Sequence, residues 1–281
     1  MLSSGIPTRD EYLRLEMEPL YAALLEFSQD FERRCAAGGE STADYRSKWV
    51  QDPFRQWSRR WEYVYVAQRM LGWADGRPGP LQVVDAGSGF TFFPFYLAQA
   101  NAALQIDCYD NDPTAGDALD EATRVLGTGP RFRIEDLERL GQESNTLDAV
   151  YSVSVIEHTP NPRLVVDEIN RVLKPGGLFV CTFDISFEKR SPMHVDRVAE
   201  LVEHIESVFD VSTDWEPIAF SALQRSDDVV TTGWDSDAIK SGLPWRNPML
   251  VWFYDMLRGR FRSTLYRPLT FCCQTLTKKT G

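Results

Sequence analysis

Four clusters of residues in this chain of 281 have the types and spacing to do chemistry. The first is Asp85-Ala86-Gly87-Ser88-Gly89, an acid at the end of the apolar run "LQVV" followed at once by two glycines around a small residue. Glycines in that position let another molecule approach the backbone closely. The second is Asp110-Asn111-Asp112, whose first acid stands 23 residues after Gly87; the third is Glu135-Asp136-Leu137; the fourth lies in "SVSVIEHTPNP", with Ser154, Glu157 and His158. The carboxylates can accept hydroxyl or amino hydrogens, and a histidine can take a proton near neutral pH. Only three histidines are available. His158 is the preferred base; His194, in "SPMHV", is the second choice; His204, beside Leu201 and Ile205 in a helical stretch, reads as a surface or edge residue.

The elements that must position these clusters alternate. "LQVVDAG", "ALQIDCYD", "RFRI", "LDAVYSVSV" and "LFVCTFDI" read as strands one to five. Between them, "FFPFYLAQAN", "DPTAGDALDEATRVLG" and "NPRLVVDEINRVLKPGG" read as helices, opened by Pro94, Pro113 and Asn161-Pro162 and closed by Gly127 and Gly176-Gly177. "DRVAELVEHIESVF" is one more helix. Near-continuous apolar strands alternating with helices imply an α/β fold with a doubly wound, mostly parallel sheet covered on both faces. Ligands of such sheets sit at the carboxyl ends of the strands, near the switch in strand order. Each cluster falls at such an end.

The flanks differ. Residues 1–79 read as helices and a linker: Thr8 and Glu11 make a capping box, Leu13, Met17, Leu20, Tyr21, Leu24 and Phe31 recur at helical spacing, Pro19 should split the helix and Gly38-Gly39 end it. A second helix spans about Phe54 to Leu71, with Gly72 as its stop and Trp57, Trp61, Val64 and Tyr65 on one face. That face reads either as packing onto the sheet or as a lid touching substrate, with Arg59 or Arg60 meeting a carboxylate. Residues 80–215 hold the alternating core, and 216–281 complete the sheet and add a basic, aromatic extension. Residues 241–281 carry seven basic residues and one acid, a net +6, which leaves −17 on the remainder of a chain whose total is −11. A contact between two copies is the preferred reading of that extension, ahead of a membrane surface; the bland reading is packing on the domain.

The acidic total argues against a nucleic-acid partner. No apolar stretch is long enough to span a bilayer, and the first residues lack a secretory pattern. Five cysteines in odd number, without a CxxC pair, read as buried free thiols in a cytoplasmic protein.

Two ligand classes use a glycine loop after strand one. A dinucleotide favours G-x-G-x-x-G, but Phe92 occupies the third position, and Asp85 would repel a pyrophosphate. A sulfonium amino acid brings an ammonium and no phosphate, which suits that acid. Asp110 would accept ribose hydroxyls, Asp136 the adenine amino group, and Leu137 would pack on the ring. Taken together, "VVDAGSG", "IDCYDND", "RIEDL", "LDAVYSVSVIEH" and "VLKPGGLFVCTFD", in that order over about residues 80–210, resemble the motifs of the class I S-adenosylmethionine-dependent methyltransferases.

The resemblance implies a Rossmann-like core that binds S-adenosylmethionine through Asp85, Ala86, Gly87, Ser88, Gly89, Asp110, Asn111, Asp136, Leu137 and Ser154. It implies transfer of a methyl group to a hydroxyl or amine of a small-molecule acceptor, a secondary metabolite or sugar, with His158 as base. Carbon methylation, a catalytically silent scaffold and, least favoured, a nicotinamide oxidoreductase are the alternatives. Relatives acting on catechols bind magnesium through Glu-x-x-Glu-His at strand four; here Ser154 holds the first position, so no metal is expected.

Overall fold

The apolar runs become the centre of a sheet because both of their faces are covered: Val83 packs into one hydrophobic cluster and Val84 into another on the opposite side. The computed structural model describes residues 1–36, 41–43, 45, 53–223, 226–241, 243, 252, 256 and 267–280. Its strands are β1 (Leu81–Ala86), β2 (Leu104–Asp110), β3 (Arg131–Ile134), β4 (Leu147–Val153), β5 (Leu173–Ser186), β6 (Phe209–Val211) and β7 (Leu269–Lys278). They form one sheet in the order β3-β2-β1-β4-β5-β7-β6. β1 to β5 are mutually parallel, and β7 runs antiparallel to both β5 and β6. The strand order reverses between β1 and β4, which puts the switch point at the ends of those two strands.

The helices are α1 (Arg9–Arg14), α2 (Pro19–Ala36), α3 (Arg59–Ala74), α4 (Phe93–Ala100), α5 (Pro113–Leu126), α6 (Pro162–Val172) and α7 (Val195–Val208), with short turns at Phe220–Leu223 and Asp237–Lys240. The capping box at Thr8 and Glu11 is formed. Asp112 caps α5 ahead of Pro113, and Gly127 ends it in the left-handed conformation.

Several local expectations are corrected. Pro19 does split the first helix, but Leu13 and Met17 are then exposed and Tyr12 and Leu15 are buried, because the break removes the continuous stripe. α3 starts at Arg59 and runs through Gly72 to Ala74, since a glycine inside a packed helix costs only about 1 kcal/mol. α6 stops at Val172, before Gly176-Gly177; β5 begins at once, and those glycines sit in a register shift against β4. "DDVVTTGW" contributes an isolated bridge from Val229 to Thr8 rather than a strand. Gly38-Gly39 and nearly all of the helix read in "PMLVWFYDMLRGRF" lie outside the described residues.

β7 lies between β5 and β6, with Phe271, Cys272 and Cys273 wholly buried. The end of the basic extension is thus an interior strand of the sheet. Two of its cations tie carbonyls down: the Lys278 Nζ donates to the Leu173 carbonyl at 2.8 Å and the Lys279 Nζ to the Ser207 carbonyl at 2.7 Å, at the end of α7. All five cysteines are buried thiols outside any disulfide. Among the described residues no helix is long and apolar enough to cross a membrane.

Candidate functional site

The site is assembled at the carboxyl ends of β1, β2, β4 and β5, under α3. At the end of β1, Gly87 and Gly89 have φ of +78° and +50°. A Cβ on Gly87 would collide with the Val155 side chain, and one on Gly89 would stand 2.6 Å from the Tyr45 hydroxyl. The Gly87 and Ser88 amides donate to the Tyr109 carbonyl at 2.8 and 3.1 Å, so the turn is held against β2. Gly87→Ala is expected to destabilise the chain by about 2 kcal/mol, the cost of a left-handed non-glycine residue with displacement of Val155. A urea midpoint unchanged from wild type would contradict that close approach.

Asp110 closes the loop. Its Oδ2 accepts from the Gly89 amide at 2.8 Å and its Oδ1 from the Asp112 amide at 2.9 Å, which fixes the carboxylate between the two strand ends. Asn111 is exposed beside it. Asp136 is also exposed and accepts from the Glu138 amide at 3.0 Å, while Leu137 is buried. These residues stand at the carboxyl ends of β2 and β3, next to the glycine turn that follows β1.

Asp85 lies deeper, 4% exposed. Burial pushes its carboxyl up to about 8, the Tyr151 hydroxyl opposing and Asp110 adding to the shift. Tyr63 of α3 approaches the same place, with its hydroxyl beside Thr91. A buried, proton-bearing acid next to a glycine turn fits an ammonium, which would exchange for that proton.

β4 leads into the second half of the site. Ser154, with φ of +49°, donates its hydroxyl to Glu62 Oε1 at 2.7 Å. The other oxygen of Glu62 takes Arg59 Nη1 at 2.7 Å. Burial works against the Arg59 charge, yet Glu62, with Tyr63, Asp184 and Glu157, raises its pKa. The motif resemblance implies that Ser154 belongs with the cofactor residues; the structure brings it to Glu62 because its left-handed turn aims the hydroxyl at α3. The turn Ile156–His158 then presents buried Glu157 and exposed His158. Desolvation of the imidazole, and after it the Arg59 charge, lowers the pKa of His158. Among the described residues no group of three or more metal-ligating side chains occurs.

The remaining candidates separate. Trp57, Trp61 and Tyr65 are core residues, at most 3% exposed, so packing absorbs them. Arg60 pairs with Glu16 and the Tyr21 hydroxyl, away from the site. His194 caps α7, and His204 pairs with Asp167 at 2.7 Å. Asp148 is structural, accepting from the Gln82 amide and pairing with Lys174. Sequence reasoning missed Glu62, Asp184, Tyr63 and Tyr45. Asp184 carried the same signal as Asp85, an acid near the end of an apolar strand. Glu62 was visible as an acid three residues from Arg59 on a tryptophan-rich face.

Residues 84–181 match the family described as a methyltransferase domain. Among curated proteins, a sarcosine/dimethylglycine N-methyltransferase of Aphanothece halophytica is 29% identical over 48% of this chain and 45% of its own length. A cycloartenol-C-24-methyltransferase of Oryza sativa subsp. japonica is 28% identical over 73% of this chain and 58% of its own. The chain thus spans about half the length of these relatives. Among solved structures, the [4+2]-cyclase SpnF superposes with a TM-score of 0.50 at 18% identity, over 76% of this chain and 81% of that one. A Haemonchus contortus phosphoethanolamine N-methyltransferase 2 in complex with S-adenosylhomocysteine gives 0.50 at 14%, over 86% and 61%. At such identities these two show the fold alone. The glycine turn, the acid closing it from β2 and the strands β1 to β5 all fall within or beside residues 84–181, the segment of this chain that matches the methyltransferase domain.

Proposed function

We propose that the chain transfers a methyl group from S-adenosylmethionine to a hydroxyl or amine of a small-molecule acceptor. The observation that carries this reading is Asp110 bound to the Gly89 amide, which joins the strand-two acid to the glycine turn beside the switch point. The bound cofactor supplies an electrophilic methyl on a sulfonium. The residues that would hold it are Gly87 and Gly89, which would admit it to the backbone, Asp110, which would accept from the ribose, Asp136 and Leu137, which would meet the adenine, and Asp85, which would meet the ammonium. With the acceptor seated at the ends of β4 and β5 beneath α3, positioning and desolvation would supply most of the acceleration. His158, neutral at physiological pH because its pKa is lowered, takes the acceptor proton. The relatives named above methylate nitrogen or carbon acceptors according to their names, which supports methyl transfer without choosing the atom.

Asp110→Ala tests the cofactor site. Its hydrogen bonds to ribose hydroxyls, each worth about 1.5–3 kcal/mol to a charged acceptor, disappear. Affinity for S-adenosylmethionine is expected to fall at least about tenfold by calorimetry. Unchanged affinity in a folded variant removes Asp110 from the site. Absence of binding in the wild type, with the fold intact, overturns the reading in favour of a fold used for other chemistry or as a scaffold.

A further inference from the structure

We propose that Glu157 and Asp184 form a subsite for a positively charged nitrogen carried by the acceptor. That the acceptor carries it rests on the methyl-transfer reading; the cation site itself rests on geometry. Glu157 follows β4 and Asp184 stands near the end of the adjacent β5, tied together by the Asp184 amide donating to Glu157 Oε1 at 3.1 Å. Glu157 is 8% exposed. Its Oε2 and the Oδ1 of Asp184 are both shut from solvent and accept no hydrogen bond among the described residues. Glu62 differs: Ser154 and Arg59 occupy its two oxygens.

The charge balance points the same way. Three carboxylates, Glu62, Glu157 and Asp184, face one guanidinium, Arg59, which is already engaged. Buried carboxylate oxygens without donors are costly, so the pair retains a proton. Burial, then Glu62, pushes Asp184 up to about 7, with Arg59 opposing. Burial, then Asp184, holds Glu157 well above its ordinary range. A cationic nitrogen removes both deficits at once: it replaces the proton as counter-charge and brings N–H donors for both oxygens. A hydroxyl brings a donor but leaves the excess negative charge. A divalent cation needs more oxygen ligands than this pair offers. The position suits a substrate contact, since Glu157 directly precedes His158 at the exit of β4 and Asp184 stands on the adjacent β5, two residues past the Thr182 carbonyl that takes the Ser154 amide.

The test uses the smallest such cation, so that acceptor shape does not enter. The full chain is melted at pH 7.5 in 100 mM methylammonium chloride and in 100 mM sodium chloride, alongside Glu157→Gln and Asp184→Asn. The amide variants mimic the protonated acids in shape and are expected to fold. The wild-type midpoint is expected to lie about 2–4 °C higher in methylammonium than in sodium, and the gain to vanish in both variants. Equal midpoints in the two salts, or an equal gain in wild type and variants, overturns the subsite and leaves a pair that only shares a proton. Calorimetry with S-adenosylmethionine on the same preparation separates the two proposals. Cofactor binding without a methylammonium effect removes the subsite alone, and the reverse removes methyl transfer while the cation site stands.

Discussion

His158→Ala is expected to lower turnover by about 10²–10⁴-fold, the usual contribution of a positioned general base. The imidazole leaves the end of β4 on the turn Ile156–His158, close enough to Arg59 to feel its charge. Desolvation and that charge lower its pKa from 6.5, so the neutral, proton-accepting form dominates at pH 7. The sign for the rate follows. Turnover should fall on acidification, with its acidic limb centred below 6.5, and should be level through neutrality. In the alanine variant that limb should disappear while affinity for S-adenosylmethionine stays near wild type, because the residues proposed to hold the cofactor, Ser154 apart, lie on or just after β1, β2 and β3. Turnover within twofold of wild type at every pH would take His158 out of the mechanism and turn attention to Asp184, pushed up to about 7 nearby.

Asp85→Asn should make the chain more stable and a poorer binder of cofactor. Burial pushes the Asp85 carboxyl from 3.8 up to about 8. The folded state therefore keeps a proton that the unfolded state has already lost. Linkage then makes the acid progressively costlier as pH rises from about 4 to about 8, with no further cost above that. Each pH unit in that window costs about 1.4 kcal/mol, so the cost at pH 7 is at most about 4 kcal/mol. Asparagine has the same shape and no titration, so its advantage in midpoint should widen between pH 5 and pH 8. The advantage is bought with function: an ammonium arriving beside Asp85 displaces the proton and gains a counter-charge, and asparagine offers neither. Wild-type affinity for S-adenosylmethionine should tighten from pH 6 to pH 8, with a binding enthalpy that depends on the buffer's own ionisation. Both effects should be missing in the variant. A stability difference that does not grow with pH would show that Asp85 is ionised before the cofactor arrives.

Asp85 and Asp184 show how far the one-dimensional pattern reaches. Asp85 was legible because it ends an apolar strand directly before glycines, and short-range sequence carries both features. Asp110 was legible because a right-handed crossover of ordinary length brings the next strand end alongside the first. The five parallel strands and their order of appearance were legible for the same reason: apolar runs, caps and turn residues are local. Asp184 closes an equally apolar strand, yet nothing within ten residues of it in the chain says what it faces. Its neighbours are Glu157, on the preceding strand's exit, and Glu62 and Arg59, on a helix more than a hundred residues upstream.

The fate of the aromatic helix and of the basic end shows the same division. "WSRRWEYVYV" read as packing, with a lid as the alternative, because amphipathic spacing specifies that a face is buried without naming its cover. Docking against the sheet decided it, burying Trp57, Trp61 and Tyr65 and drawing Glu62 in with them. At the other end, charge counting made residues 241–281 look like an appendage. Pairing of β7 between β5 and β6 made their last strand interior, since an antiparallel partner is chosen by the edge that β5 leaves open and not by the strand's own composition. Local residue order was enough to set the five parallel strands, the glycine turn and the acids near the ends of β1 and β2, all of which depend on residues within one element of each other. The meeting of three carboxylates around one arginine came from packing, because it is a contact between α3, β4 and β5 and has no local signature.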